Sequence, residues 1–302
     1  MDLCDDIWIL LLCLLQTLYT VAPLTLHIAG VHLIKKCSTY PPQQRLYLIQ
    51  ISIIEIIFLL INNDCLVYME VYQFLPRMAS YLQLFIKASL AIPWCNVMIF
   101  LTVDRVAQVW LNIKYERYVT TFRTRLLIMG AWGVGVGLFI SMVIATLVTH
   151  LDALSIVHFH ITQVFMGLVV VSLVPCYIYL CIQIKKIKRK DKRSGNNHSP
   201  DHITVKIYYF VPLWIILTYI VTFLLPNILQ IVFKQVRYGV TCYFYIIAQF
   251  LFISGCLGDA LVYILMDTRM RKRFLTDIGW VKEKKVHTPL LHVRNCQSDL
   301  ND

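Results

Sequence analysis

Seven long, predominantly apolar stretches recur along this chain, at 7–34, 46–68, 78–103, 126–149, 160–184, 207–233 and 243–266. A helix of about 20 residues, rising 1.5 Å per residue, crosses a hydrocarbon core about 30 Å thick. Backbone in lipid must satisfy its own hydrogen bonds, so such stretches fold as helices. Hydrophobic residues make up 58% of the 302 residues, above the half or so of a soluble domain. No run outside the seven stretches exceeds the 36 residues of 267–302, so no separate soluble enzyme domain is expected. The expectation is an all-α integral membrane protein, a seven-transmembrane helix bundle over 7–266.

Lysine and arginine set the orientation. Of the 28, all but Arg77, Lys87, Lys234 and Arg237 fall in the tail or in the loops after segments one, three and five. The positive-inside rule therefore predicts a short extracellular terminus, 1–6, and a cytoplasmic tail, 276–302. An odd number of spans satisfies both. The net charge of +11 suits an anionic cytosolic leaflet and gives no reason to invoke nucleic acid. Segment one has an acidic flank (Asp2, Asp5, Asp6) and a run too long for a cleaved signal, so it reads as a retained helix. Residues 267–275 are basic, with Met270 and Phe274 four apart, and read as a short amphipathic eighth helix along the inner membrane surface. The run 185–206 is a basic, Ser/Gly/Asn-containing linker.

Polar groups inside spans are where function is expected, because a charge at mid-bilayer costs about 2.5–3.5 kcal/mol on insertion scales. Glu55 lies midway in segment two and Asp259 in segment seven. Two close carboxylates are expected to share a proton. Asp64 lies at the outer end of segment two, and Lys87 in the outer part of segment three. Arg105 follows Lys87 by 18 residues, a whole number of helical turns and about 27 Å, so the two share one face. Asp104 beside Arg105 forms an ion pair at the water edge of segment three. No hydrolase, metal or phosphate-loop constellation is present, and neither catalysis nor a cofactor is expected.

The sequence Leu101-Thr-Val-Asp104-Arg105-Val106 resembles the Asp-Arg-Tyr motif of rhodopsin-like (class A) G-protein-coupled receptors. Tyr115 stands where that family carries a Tyr in its second intracellular loop, and Trp132 where it has its helix-four Trp. Gln50-Ile51-Ser52-Ile53-Ile54-Glu55 resembles the helix-two Asn-Leu-Ala-x-x-Asp. Pro175 and Pro226 match the helix-five and helix-six prolines. Asp259-Ala260-Leu261-Val262-Tyr263 resembles the helix-seven Asn-Pro-x-x-Tyr. The matches run in order at the right depths along nearly the whole chain. The departures are Val106 for Tyr, Ala260 for Pro, Leu224 for the helix-six Trp, Gln183 for the helix-five Tyr, and a helix one without its usual Asn. Ser80 stands in place of the disulfide Cys, and Trp94 in place of a small Ser at the internal sodium site.

The resemblance implies a plasma-membrane receptor that senses an extracellular ligand and activates a heterotrimeric G protein. Asp104 would hold Arg105 at rest, and on activation Arg105 would swing toward Tyr263. Lys206 stands where many relatives carry a restraining acid; it would repel Arg105 and leave the resting lock weak. Glu55 and Asp259 would hold either sodium or a shared proton. Lys87 would answer an acidic ligand, or else pair internally with Asp64. Asn227, Tyr245, Gln249 and Ile253 would line the same pocket. Anionic lipid is a further expected partner for the basic loops. Two other readings stay open: a seven-helix receptor that binds without coupling, and a small transporter, whose inverted repeats are not found here.

Overall fold

The computed structural model describes residues 7–37, 40–61, 77–111, 115–149 and 241–280, together with 164, 167–168, 171–180, 182–183, 186, 213–218 and 220–221. The helices are α1 (Ile7–Cys37), α2 (Pro42–Ile61), α3 (Arg77–Leu111), the single turn α4 (Tyr115–Tyr118), α5 (Thr121–Thr149), α6 (Val171–Leu180), α7 (Thr241–Met266) and α8 (Thr268–Asp277). Residues 213–218 are also helical. Among the described residues five helices, α1, α2, α3, α5 and α7, are long and apolar enough to cross a membrane.

Burial in these helices runs opposite to that of a water-soluble protein. In α1 the polar Gln16, Thr20 and His27 are buried, whereas Leu14, Leu18, Val21 and Ile28 are exposed. In α5 the exposed residues include Val134, Val136, Ile140 and Ile144. Polar groups turned inward and apolar ones outward are the arrangement that a lipid surround stabilises. The described residues are all-helical, and the chain is a multi-pass membrane protein.

Packing runs α7–α1–α2–α3–α5 from neighbour to neighbour, with α8 against α1 and α7. The main apolar cluster draws Ile34, Leu48, Ile51, Ile54, Met98 and Leu101 into one core. The α3–α5 contact is close for a specific reason. Pro93 lacks an amide hydrogen, so the Ser89 carbonyl one turn earlier loses its helical donor. Gly135 of α5 lies against that carbonyl; a Cβ added there would stand 2.6 Å from Ser89 O and 2.9 Å from Pro93 Cδ. Only glycine permits this approach.

Helix ends follow local chemistry. Pro42 opens α2 at a position where no amide is needed. Asp267, fully buried, caps α8 by accepting from the amides of Arg269 and Met270 at 2.9 and 3.2 Å. Gly279, with φ +78°, closes α8: the amides of Gly279 and Trp280 donate to the carbonyls of Thr276 and Leu275, a Schellman closure. Met270 is buried in the core and Phe274 packs on it, while Arg269, Arg271, Lys272 and Arg273 are exposed.

The segments expected from hydropathy and the helices differ at their ends. Helix α3 does not stop at Val103 but continues to Leu111, and α5 begins at Thr121, five residues before the apolar stretch. A charged pair lowers hydropathy without breaking a helix, and neither extension contains Pro or Gly, the residues that would. Asp104 and Arg105 therefore lie inside α3, with a turn and a half of helix beyond them.

Candidate functional site

Two polar clusters lie inside the bundle. The first is at the end of α3, beside the basic residues that flank α1, α5 and α8. Arg105 is fully buried and Asp104 nearly so. Arg105 Nη2 donates to Asp104 Oδ2, and Nη1 donates to Gln108 Oε1 at 2.9 Å. The Tyr115 hydroxyl donates to Asp104 Oδ1. Both carboxylate oxygens are thus engaged, one by a guanidinium and one by a phenol. A buried ion pair is tolerated only when its remaining lone pairs are satisfied in this way. Burial, followed by the adjacent Asp104 charge, pushes the Tyr115 phenol well above its ordinary value, which keeps it a donor.

The turn that carries Tyr115 is itself held. The Val119 amide donates to Tyr115 O at 2.9 Å, Gln43 Nε2 of α2 donates to Val119 O at 3.0 Å, and Arg123 Nη1 donates to Tyr118 O at 2.8 Å. Tyr47 of α2 and Tyr177 of α6 lie near the ion pair. Tyr177 also shares a hydrogen bond of 3.2 Å with Thr102 of α3. Arg105 Nε has no hydrogen-bond partner among the described residues.

The second cluster joins α1, α2 and α7 at mid-depth. Glu55 and Asp259 contact one another through their side chains. A hydrogen bond between two carboxyl groups needs a proton on one of them. The Trp94 indole of α3 donates to Glu55, and Thr218 reaches Asp259. His27 Nε2 lies 2.9 Å from the Cys256 carbonyl and 3.0 Å from Glu55 Oε2. His27 Nδ1 lies 2.6 Å from the Tyr263 hydroxyl, which lies 2.7 Å from Ser52 Oγ. The Cys256 carbonyl can only accept, so Nε2 carries the proton. In the neutral imidazole Nδ1 accepts from Tyr263, and Tyr263 accepts from Ser52. Tyr40 donates to the Tyr263 carbonyl at 3.3 Å.

The structure brings together Asp104, Arg105 and Tyr115 in one cluster and Glu55 with Asp259 in another. Tyr263 lies with the second, bonded to His27 and Ser52. Trp132 and Gln50, from two separate matching motifs, meet directly, with Nε1 donating to Oε1 at 3.0 Å. Lys87 shares α3 with Arg105, and Tyr245 lies on α7, but their side chains fall outside the described set. Asp64, Asn227 and Lys206 lie outside the described residues. Gln249 Oε1 is buried without a hydrogen-bond partner among the described residues, and Ile253 is buried against Leu59 and Cys256.

His27 is the functional residue that sequence reasoning missed. Its signal was an ionisable side chain in the middle of an apolar stretch, the same criterion that singled out Glu55. Gln108 was missed because a polar residue past the end of an apolar run carries no such signal. Comparison with protein-family profiles and with curated proteins finds no match to this chain.

Proposed function

We propose that this chain is a rhodopsin-like G-protein-coupled receptor: seven spans, an amphipathic α8 on the cytosolic membrane surface, and a switch at Arg105. It resides in the plasma membrane with its amino terminus outside. It senses an extracellular ligand, an acidic one given Lys87 on α3, and activates a heterotrimeric G protein. The observation that carries this reading is the closed Asp104–Arg105–Tyr115 cluster near the basic end of α3. A guanidinium held by one carboxylate and one neighbouring turn can be released by a competing partner, and that release can report a rearrangement of the bundle. The basic residues around it suit an anionic leaflet.

In the resting arrangement Arg105 is engaged by Asp104 and Gln108 alone among the described residues. Lys206 supplies no acid to hold it further, so the lock is weak and the receptor signals without ligand. A panel of heterotrimeric G proteins, assayed for nucleotide exchange without ligand, tests this. Wild type exchanges above empty membranes, and Arg105→Ala differs from it. A second reading, a seven-helix receptor that binds without coupling, is favoured by α7 running unbroken through Ala260 to Met266; it expects no exchange from either protein.

A further inference from the structure

We propose that His27 positions Tyr263 for the Arg105 switch by holding its hydroxyl against α1 in the resting state. This inference rests on the receptor reading and deepens it.

The socket is specific to these residues. His27 and Gly30 are three apart on α1 and so face the same side. His27 Nδ1 accepts a hydrogen bond from the Tyr263 hydroxyl at 2.6 Å. Gly30 leaves room for the ring: a Cβ there would stand 3.0 Å from Tyr263 Cε2. Ser52 of α2 closes the other side at 2.7 Å. His27 is itself fixed, because its Nε2–H donates to the Cys256 carbonyl at 2.9 Å. Glu55 Oε2 lies 3.0 Å from the same nitrogen and takes no hydrogen bond among the described residues, so the charge on Glu55 acts directly on the imidazole. The Tyr263 ring cannot leave for α3 without giving up both Nδ1 and Ser52. His27 is fully buried, so no water stands ready to replace the lost partner.

Disrupting the socket therefore shifts the resting population toward the open one. His27→Ala removes the acceptor, and basal nucleotide exchange rises about two- to tenfold, the range one net hydrogen bond supports. His27→Asn returns exchange toward wild type, because Oδ1 occupies the place of Nδ1 and accepts the same proton.

The test uses the full chain in lipid nanodiscs, with purified heterotrimeric G proteins as probe and ¹⁵N-histidine NMR as a second readout. The expected result has two parts. His27 appears as a neutral Nε2–H imidazole whose Nδ1 signal moves in Tyr263→Phe, and basal exchange rises in His27→Ala and falls back in His27→Asn. A Nδ1 signal unmoved by Tyr263→Phe removes the bond and overturns the proposal. A bond that is present, with exchange altered by Arg105→Ala but not by His27→Ala, overturns the positioning role while the receptor reading stands. No exchange from wild type or from any variant overturns the receptor reading, and the positioning role with it.

Discussion

The cluster around Arg105 and the cluster around Tyr263 are built in different ways. In the first, Asp104 and Tyr115 are 11 positions apart and the remaining partners are closer still. In the second, His27 and Tyr263 are 236 positions apart and Ser52 and Tyr263 are 211 apart. The first is held by a buried charge pair with its oxygens satisfied. The second is a chain of hydrogen bonds through His27, Tyr263 and Ser52, beside the Glu55–Asp259 pair. A local charged cluster concentrates its energy in one ion pair and the bonds that satisfy it, whereas a network across three helices spreads it over several modest bonds. On the proposed receptor reading, that difference suits the first to act as the switch and the second to set its threshold.

The contrast can be broken by substitutions. Asp104→Ala leaves Arg105 buried without its counter-charge, and thermal unfolding in detergent should report a loss of about 3–5 kcal/mol. Gly135→Ala sets a methyl against the Ser89 carbonyl and the Pro93 ring, neither of which can yield; it should cost about 1–3 kcal/mol by the same assay and disturb α3, the helix that carries the switch. Ser52→Ala removes one bond of the second network and should cost about 0.5–1.5 kcal/mol. A Ser52→Ala loss as large as that of Asp104→Ala would erase the distinction between the two regions. The smallest effect is one of pH. A phenol with a raised value in the folded state contributes stability that is full below its unfolded value, about 10, and is lost as pH rises above it. Tyr115→Phe should therefore unfold less steeply with pH above about 10 than wild type.

What could be read from the chain divides along the same line. The Asp104–Arg105 pair is legible because the two are adjacent; the bond from Tyr115 to Asp104 is not, since the motif gives Tyr115 a place in the loop and no partner. Glu55 and Asp259 were expected to meet, because two acids inside spans have few other places to go. The link from Tyr263 to His27 was not legible: nothing in the spacing of α1 and α7 says which residues face each other. The resemblance pointed instead to the missing helix-one Asn, and the polar partner on α1 proved to be a histidine at another position. The extent of α3 past Arg105 was hidden for a different reason, since hydropathy measures affinity for lipid and not the tendency to stay helical. The closeness of α3 and α5 depends on a carbonyl left free by Pro93 and a glycine opposite it, a pairing visible only once the helices are side by side.

The central claim is that Arg105 is a switch loosely held by its own Asp104, and its most direct test is basal nucleotide exchange across a panel of heterotrimeric G proteins, wild type against Arg105→Ala. The account predicts exchange above empty membranes for wild type with at least one G protein, and a different level for Arg105→Ala. Equal exchange by the two proteins would contradict it.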